Sequence, residues 1–253
     1  NVIAGNFLGI DVTGMTDPDG TTVSSGANGI TLTAGSLNLI GGLALADRNL
    51  IAGTNDYAIT IGGAGTSGNV VWGNYLGSDR TGLASVADGQ GEVALWSAGA
   101  GNKVGGGAAG MGNVIVGEAV GVLVAGTTSD TVIQGNFIGV TGDGVTRVGN
   151  AMIGVFLKDG AKGTLVGTDA DGNVDAAEAN VIGGAAYGIL ANDPATTATI
   201  AGNLIGLGAD RTTAIGNVIG IGAWGGAALL IGGTQAVTGN VIADNQRNIA
   251  TDG

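Results

Sequence analysis

The chain has 253 residues, with 20 acidic and 8 basic side chains, and its net charge of −12 has the wrong sign for phosphate backbones or anionic lipid surfaces. It contains neither cysteine nor histidine, which removes disulfides, thiol nucleophiles, imidazole bases and the commonest ligands of zinc and other transition metals. Its 54 glycines follow no triplet period, which excludes collagen, and a 44% hydrophobic composition excludes disorder.

The first element along the chain, Gly5-Asn6-Phe7-Leu8-Gly9, returns as Gly73-Asn74-Tyr75-Leu76-Gly77, Gly135-Asn136-Phe137-Ile138-Gly139 and Gly202-Asn203-Leu204-Ile205-Gly206, with steps of 68, 62 and 67 residues. The next, Leu39-Ile40-Gly41, returns at Lys103-Val104-Gly105, Leu165-Val166-Gly167 and Leu230-Ile231-Gly232. A third series runs Asn49-Leu50-Ile51, Asn113-Val114-Ile115, Asn180-Val181-Ile182 and Asn240-Val241-Ile242. Three interleaved series with one period define a repeat array, read as a single domain over 1–253 with long repeats 1–68, 69–130, 131–197 and 198–253.

Between these landmarks lie short Val/Ile/Leu/Thr runs of period two, broken by Gly, Asn and Asp, which is strand-and-turn chemistry. The fold class is therefore all-β, a single-stranded parallel β-helix (solenoid). Treating the three landmarks as three coils of about 21 residues each predicts about twelve coils and a rod of about 55–60 Å. Alternation points Ile3, Val71, Ile133 and Ile200 inward, together with Leu8, Leu76, Ile138 and Ile205, while Ala4, Trp72, Gln134 and Ala201 should face out. Asn6, Asn74, Asn136 and Asn203 suit corners, because asparagine tolerates the left-handed conformation and can bond the next coil's turn.

In chain order, the loop at 9–28 holds Asp17-Pro18-Asp19-Gly20, a tight-turn signal before it is a carboxylate pair. Trp72, Tyr75, Trp96 and Trp224 form a candidate surface of aromatic rings for stacking on sugars or docking a partner, with successive rings about three coils, or ~14 Å, apart. Asp79-Arg80 and Asp210-Arg211 read as solvated ion pairs. The segment from Gly167 to Glu178 resembles a twelve-residue calcium loop, with Asp169, Asp171, Asn173 by its carbonyl, Asp175 and Glu178 at ligand positions and Val174 at the apolar one. Gly167 stands where such loops carry an aspartate, so the expected affinity is weak, about 0.1–1 mM. The uncharged passage from Thr212 to Ala243 keeps the repeat register and is assigned to strands rather than to a membrane helix.

The alternation of NVI-x-G, GN-x-[IL]-G and [VI]-G-G resembles the right-handed parallel β-helix repeats of the pectin-lyase-like superfamily, in the form found in large bacterial secreted and surface proteins. That resemblance implies a right-handed coil and an extracellular or cell-surface location, and it covers both enzymes and non-catalytic arrays. Polygalacturonase-like chemistry needs a histidine that the chain lacks, and no inner column sets an Arg or Lys base beside two carboxylates. The expected function is thus a non-catalytic structural or adhesive module with no catalytic residues, and with no cofactor unless calcium binds. Its partners are flanking domains, other copies stacked end to end in self-assembly, or carbohydrate. The alternative is a protein that binds or cleaves polysaccharide along the loops at 9–28, 77–91 and 139–150. The chain starts inside a motif at Asn1-Val2-Ile3, which suggests a piece of a longer protein or ends that meet other copies.

Overall fold

The computed structural model describes residues 1–16, 28–86 and 89–252, so the Asp17 and Asp19 turn lies outside the described residues. Its strands form three parallel sheets, A, B and C, of eight strands each. Each layer of the stack contributes one strand to each sheet in the order A, B, C; layer 3, for example, is Val70–Trp72, Tyr75–Leu76 and Gly91–Trp96. The fold is a parallel β-solenoid of eight layers, with seven full turns between the first and last strand of a sheet. Among the described residues helix is confined to three 3-10 turns, Leu45–Asp47, Asp175–Ala177 and Ala236–Thr238. Among the described residues no helix is long and apolar enough to cross a membrane, and strands occupy the uncharged passage after Thr212.

The coil count departs from twelve for a specific reason. Leu39–Gly41 pairs in register with both Val2–Ile3 and Val70–Trp72, and Leu50–Ile51 pairs with both Phe7–Leu8 and Tyr75–Leu76. The second and third landmarks thus share one layer, and the long period is two layers of about 32 residues each. Seven steps of ~4.8 Å make a stack of about 34 Å, not 55–60 Å.

The alternation was read correctly for the interior. Ile3, Ile40, Val71, Val104, Ile133, Val166, Ile200 and Ile231 are successive register partners in sheet A and line the core. Leu8 through Ile242 do the same in sheet B. Burying each such side chain contributes about 1.5–3 kcal/mol, and every layer buries its own against both neighbours. The outward column is less open than expected: Gln134 and Ala201 are buried, and Trp72 donates its indole N–H to Gly105 O at 2.9 Å.

Asparagine holds the corner between sheets A and B in every layer. Asn6, Asn49, Asn74, Asn113, Asn136, Asn180, Asn203 and Asn240 form one ladder, in which each residue's backbone N–H and Nδ2 both donate to the next residue's Oδ1 at 2.9–3.2 Å. The six interior members are 0% exposed. The bond to the next coil was expected, but the left-handed conformation belongs to the preceding glycine, as at Gly73 (φ 66°), and not to the asparagine. A second ladder, Asn1, Asn38, Asn69 and Asn102, marks the corner between sheets C and A in layers 1–4. It stops where Thr131 and Thr164 take over with buried hydroxyls that have no protein partner.

Candidate functional site

Odd and even layers differ in their loops. In odd layers the A–B corner is the tight Gly-Asn turn and the B–C connection is a hairpin, closed at Ser78↔Ser85, Val140↔Arg147 and Leu207↔Ala214. In even layers the A–B connection is the longer one, and in layers 2, 6 and 8 it carries a 3-10 turn. Both kinds of loop border the outer face of sheet B and form two banks along the solenoid.

The hairpins touch one another across the intervening even layer. Arg80 N–H donates to Gly14 O at 2.7 Å, Gly142 N–H to Gly82 O at 2.8 Å and Ala209 N–H to Gly144 O at 2.8 Å. Each hairpin is tied internally by an aspartate. Asp210 accepts the Thr213 and Thr212 amides at 2.9 and 3.0 Å and both hydroxyls at 2.7 and 3.0 Å, and these bonds, the Thr213 amide foremost, hold its carboxyl far below the usual range. At Asp143 slight burial acts in the opposite sense, but the Thr141 hydroxyl at 2.6 Å and the Val145 and Thr146 amides outweigh it and lower the pKa. Asp79 accepts Thr81 Oγ1 at 2.7 Å in the same way. Neither Asp79-Arg80 nor Asp210-Arg211 forms the expected ion pair; both carboxylates instead accept hydrogen bonds from amides and hydroxyls of their own turns. Among the described residues the one ion pair is Lys158 with Asp159 at 3.1 Å.

Between the banks runs a groove whose floor carries Phe7, Tyr75 and Phe137. Two pockets of about 390 and 410 Å³ share Arg48 and Tyr75 as their common wall, and a third of about 220 Å³ lies beside Arg211 and Asp175. The Arg48 guanidinium lies 3.7 Å over the Tyr75 ring, and its Nε donates to Gly73 O at 3.1 Å. Sequence reading set Phe7, Tyr75 and Phe137 in one outward column and a groove beside the loops at 9–28, 77–91 and 139–150, but it missed the Arg48–Tyr75 pair, because the two residues come from adjacent layers whose register appears only once the stack is built.

The four aromatic candidates do not form one surface. Tyr75 is on sheet B and wedged between Arg48 and Gly82, while Trp72 is on sheet A. Trp96 and Trp224 do share a row on sheet C, four layers or ~19 Å apart, and Trp96 is 48% exposed with Lys158 Nζ 5.1 Å from its ring.

The acidic loop is the A–B connection of layer 6. Asp169, Asp171 and Asp175 bring carboxylate oxygens within 4.8 Å of one another. Local bonds shape the loop: Asp171 N–H donates to Asp169 Oδ1 at 3.1 Å, Asn173 N–H to Asp171 Oδ1 at 2.7 Å and Gly172 N–H to Asp175 Oδ1 at 3.2 Å. Glu178 lies outside that group of three. Only 6% exposed, it accepts the Asp169 amide at 3.2 Å. Burial pushes its carboxyl up and the charges of Asp169 and Asp175 add to the rise, against hydrogen bonds from Thr168 and Asp169. Val174 (φ 53°) lies against Gly107 of the layer-4 loop, so the loop belongs to the bank as well.

Compared with family profiles, curated proteins and solved structures, the chain matches none.

Proposed function

We propose that this solenoid is a non-catalytic structural or adhesive module of an extracellular or cell-surface protein, pectin-lyase-like in its coil. It stacks between flanking coils or other copies of itself. The observation that carries the reading is the asparagine ladder, which runs through every layer and gives the stack a direction. Asn6 Oδ1 faces one end, and the Asn240 backbone N–H faces the other, so the two ends are complementary as donor and acceptor. Sedimentation and light scattering of the purified chain are expected to show species that lengthen with concentration. A monomer at every concentration would leave only flanking coils as partners, and turnover of an acidic polysaccharide to unsaturated product would overturn the non-catalytic reading in favour of the enzyme alternative.

The convergence of Asp169, Asp171 and Asp175 supports calcium as the ligand of the layer-6 loop. With Glu178 turned to the backbone and glycine at position 167, the affinity should fall at about 0.1–1 mM or weaker. Calorimetric titration of Ca²⁺ is expected to give heat that Asp171→Ala abolishes; no heat at millimolar ion would end the assignment.

A further inference from the structure

We propose that the pocket of about 390 Å³ between Arg48 and Arg80 binds a small carboxylate with an apolar body, such as an aryl or alkyl acid. The two cations come from opposite banks, Arg48 from the layer-2 loop and Arg80 from the layer-3 hairpin. Arg48 is pre-oriented, flat on Tyr75 with Nε tied to Gly73 O, and its terminal nitrogens make no other side-chain or backbone bond among the described residues. Arg80 is held by one bond, Nη1 to Thr13 O at 3.3 Å. Planar guanidinium forks match a carboxylate in two-point geometry.

Neither arginine has a carboxylate partner among the described residues, and the described lining of the pocket contains no acid. In a chain of net charge −12, the described lining of this pocket carries two cations. The rest of the lining is apolar and open to water, with Phe7 43% and Leu45 79% exposed above Leu50. A bare inorganic anion would leave those side chains wet, and a neutral apolar molecule would leave the guanidinium groups unused. An anionic head on an apolar body uses both.

The test is calorimetric titration of the chain with 3-phenylpropionate, its neutral amide and sodium sulfate. The acid is expected to bind in the high-micromolar to millimolar range, with amide and sulfate each about 10-fold weaker or worse. Arg80→Gln, on an exposed hairpin, should weaken the acid about 5- to 10-fold with an unchanged melting temperature. Arg48→Lys, which keeps the charge and loses the flat fork, should also weaken it. Arg211→Gln, at the far end of the groove, should not. Equal binding of acid and amide, sulfate as tight as the acid, or no effect of Arg80→Gln would each overturn the proposal.

Discussion

Asn136→Ala is expected to destabilise the solenoid by about 2–6 kcal/mol, seen in urea unfolding as a lower midpoint at an unchanged slope. The figure follows from what the substitution strands. Asn136 Oδ1 accepts from both the backbone N–H and the Nδ2 of Asn113 at 3.1 and 2.9 Å, and both donors are buried. Each orphaned donor costs about 1–3 kcal/mol, because no water reaches the corner to replace the lost acceptor. The Asn136 amide also supplies Asn180 Oδ1, Val104 O and Gln134 O, so the damage reaches the layers on both sides. Asn6→Ala is the contrast. It is exposed, no described residue donates to its Oδ1, and its replacement in this chain should cost less than about 1 kcal/mol. Equal losses at the two sites would mean that the ladder contributes turn propensity alone.

Gly105→Ala is the second large effect, at about 3–5 kcal/mol by the same measurement. Gly105 ends its sheet-A strand at φ 78°, a conformation that costs an L-residue about 1–2 kcal/mol. An added Cβ would also fall inside the van der Waals shells of Gln134 O and Asn136 Oδ1, which are backbone and ladder atoms with nowhere to go. Gly101→Ala separates the two contributions. Gly101 has φ 71° with no atom within 4 Å of the added carbon, so only the conformational cost of about 1–2 kcal/mol should appear.

The fold was legible because its cause is periodic. Ile133 and Ile138 recur with their counterparts at one spacing, alternation fixes which side they face, and the core contains them all. The number of layers was not legible from the same residues. Leu39-Ile40-Gly41 and Asn49-Leu50-Ile51 look like separate coils along the chain, and only the register of Ile40 with Val71 and of Ile51 with Leu76 places both in layer 2. The ladder was half visible: both asparagine series stood out, but Asn6 and its counterparts as corners and Asn49 and its counterparts as the landmark of another coil, rather than as alternate rungs of one ladder. At the acidic loop, spacing brought Asp169, Asp171 and Asp175 together, whereas Glu178 answered to burial and the Asp169 amide, which no spacing encodes. The Arg48 pocket had no local signature, since its parts meet only through the stack.

The hairpins of alternate layers hold one another through Arg80 to Gly14, Gly142 to Gly82 and Ala209 to Gly144, spanning the layer between them. Inserting or deleting one layer would set two hairpins, or two long loops, directly on top of each other and break both banks. The array can therefore lengthen or shorten only in quanta of two layers, about 64 residues and ~10 Å of axis at a time. Duplication of the gene segment in any smaller unit would yield a solenoid with an intact core and a ruptured flank.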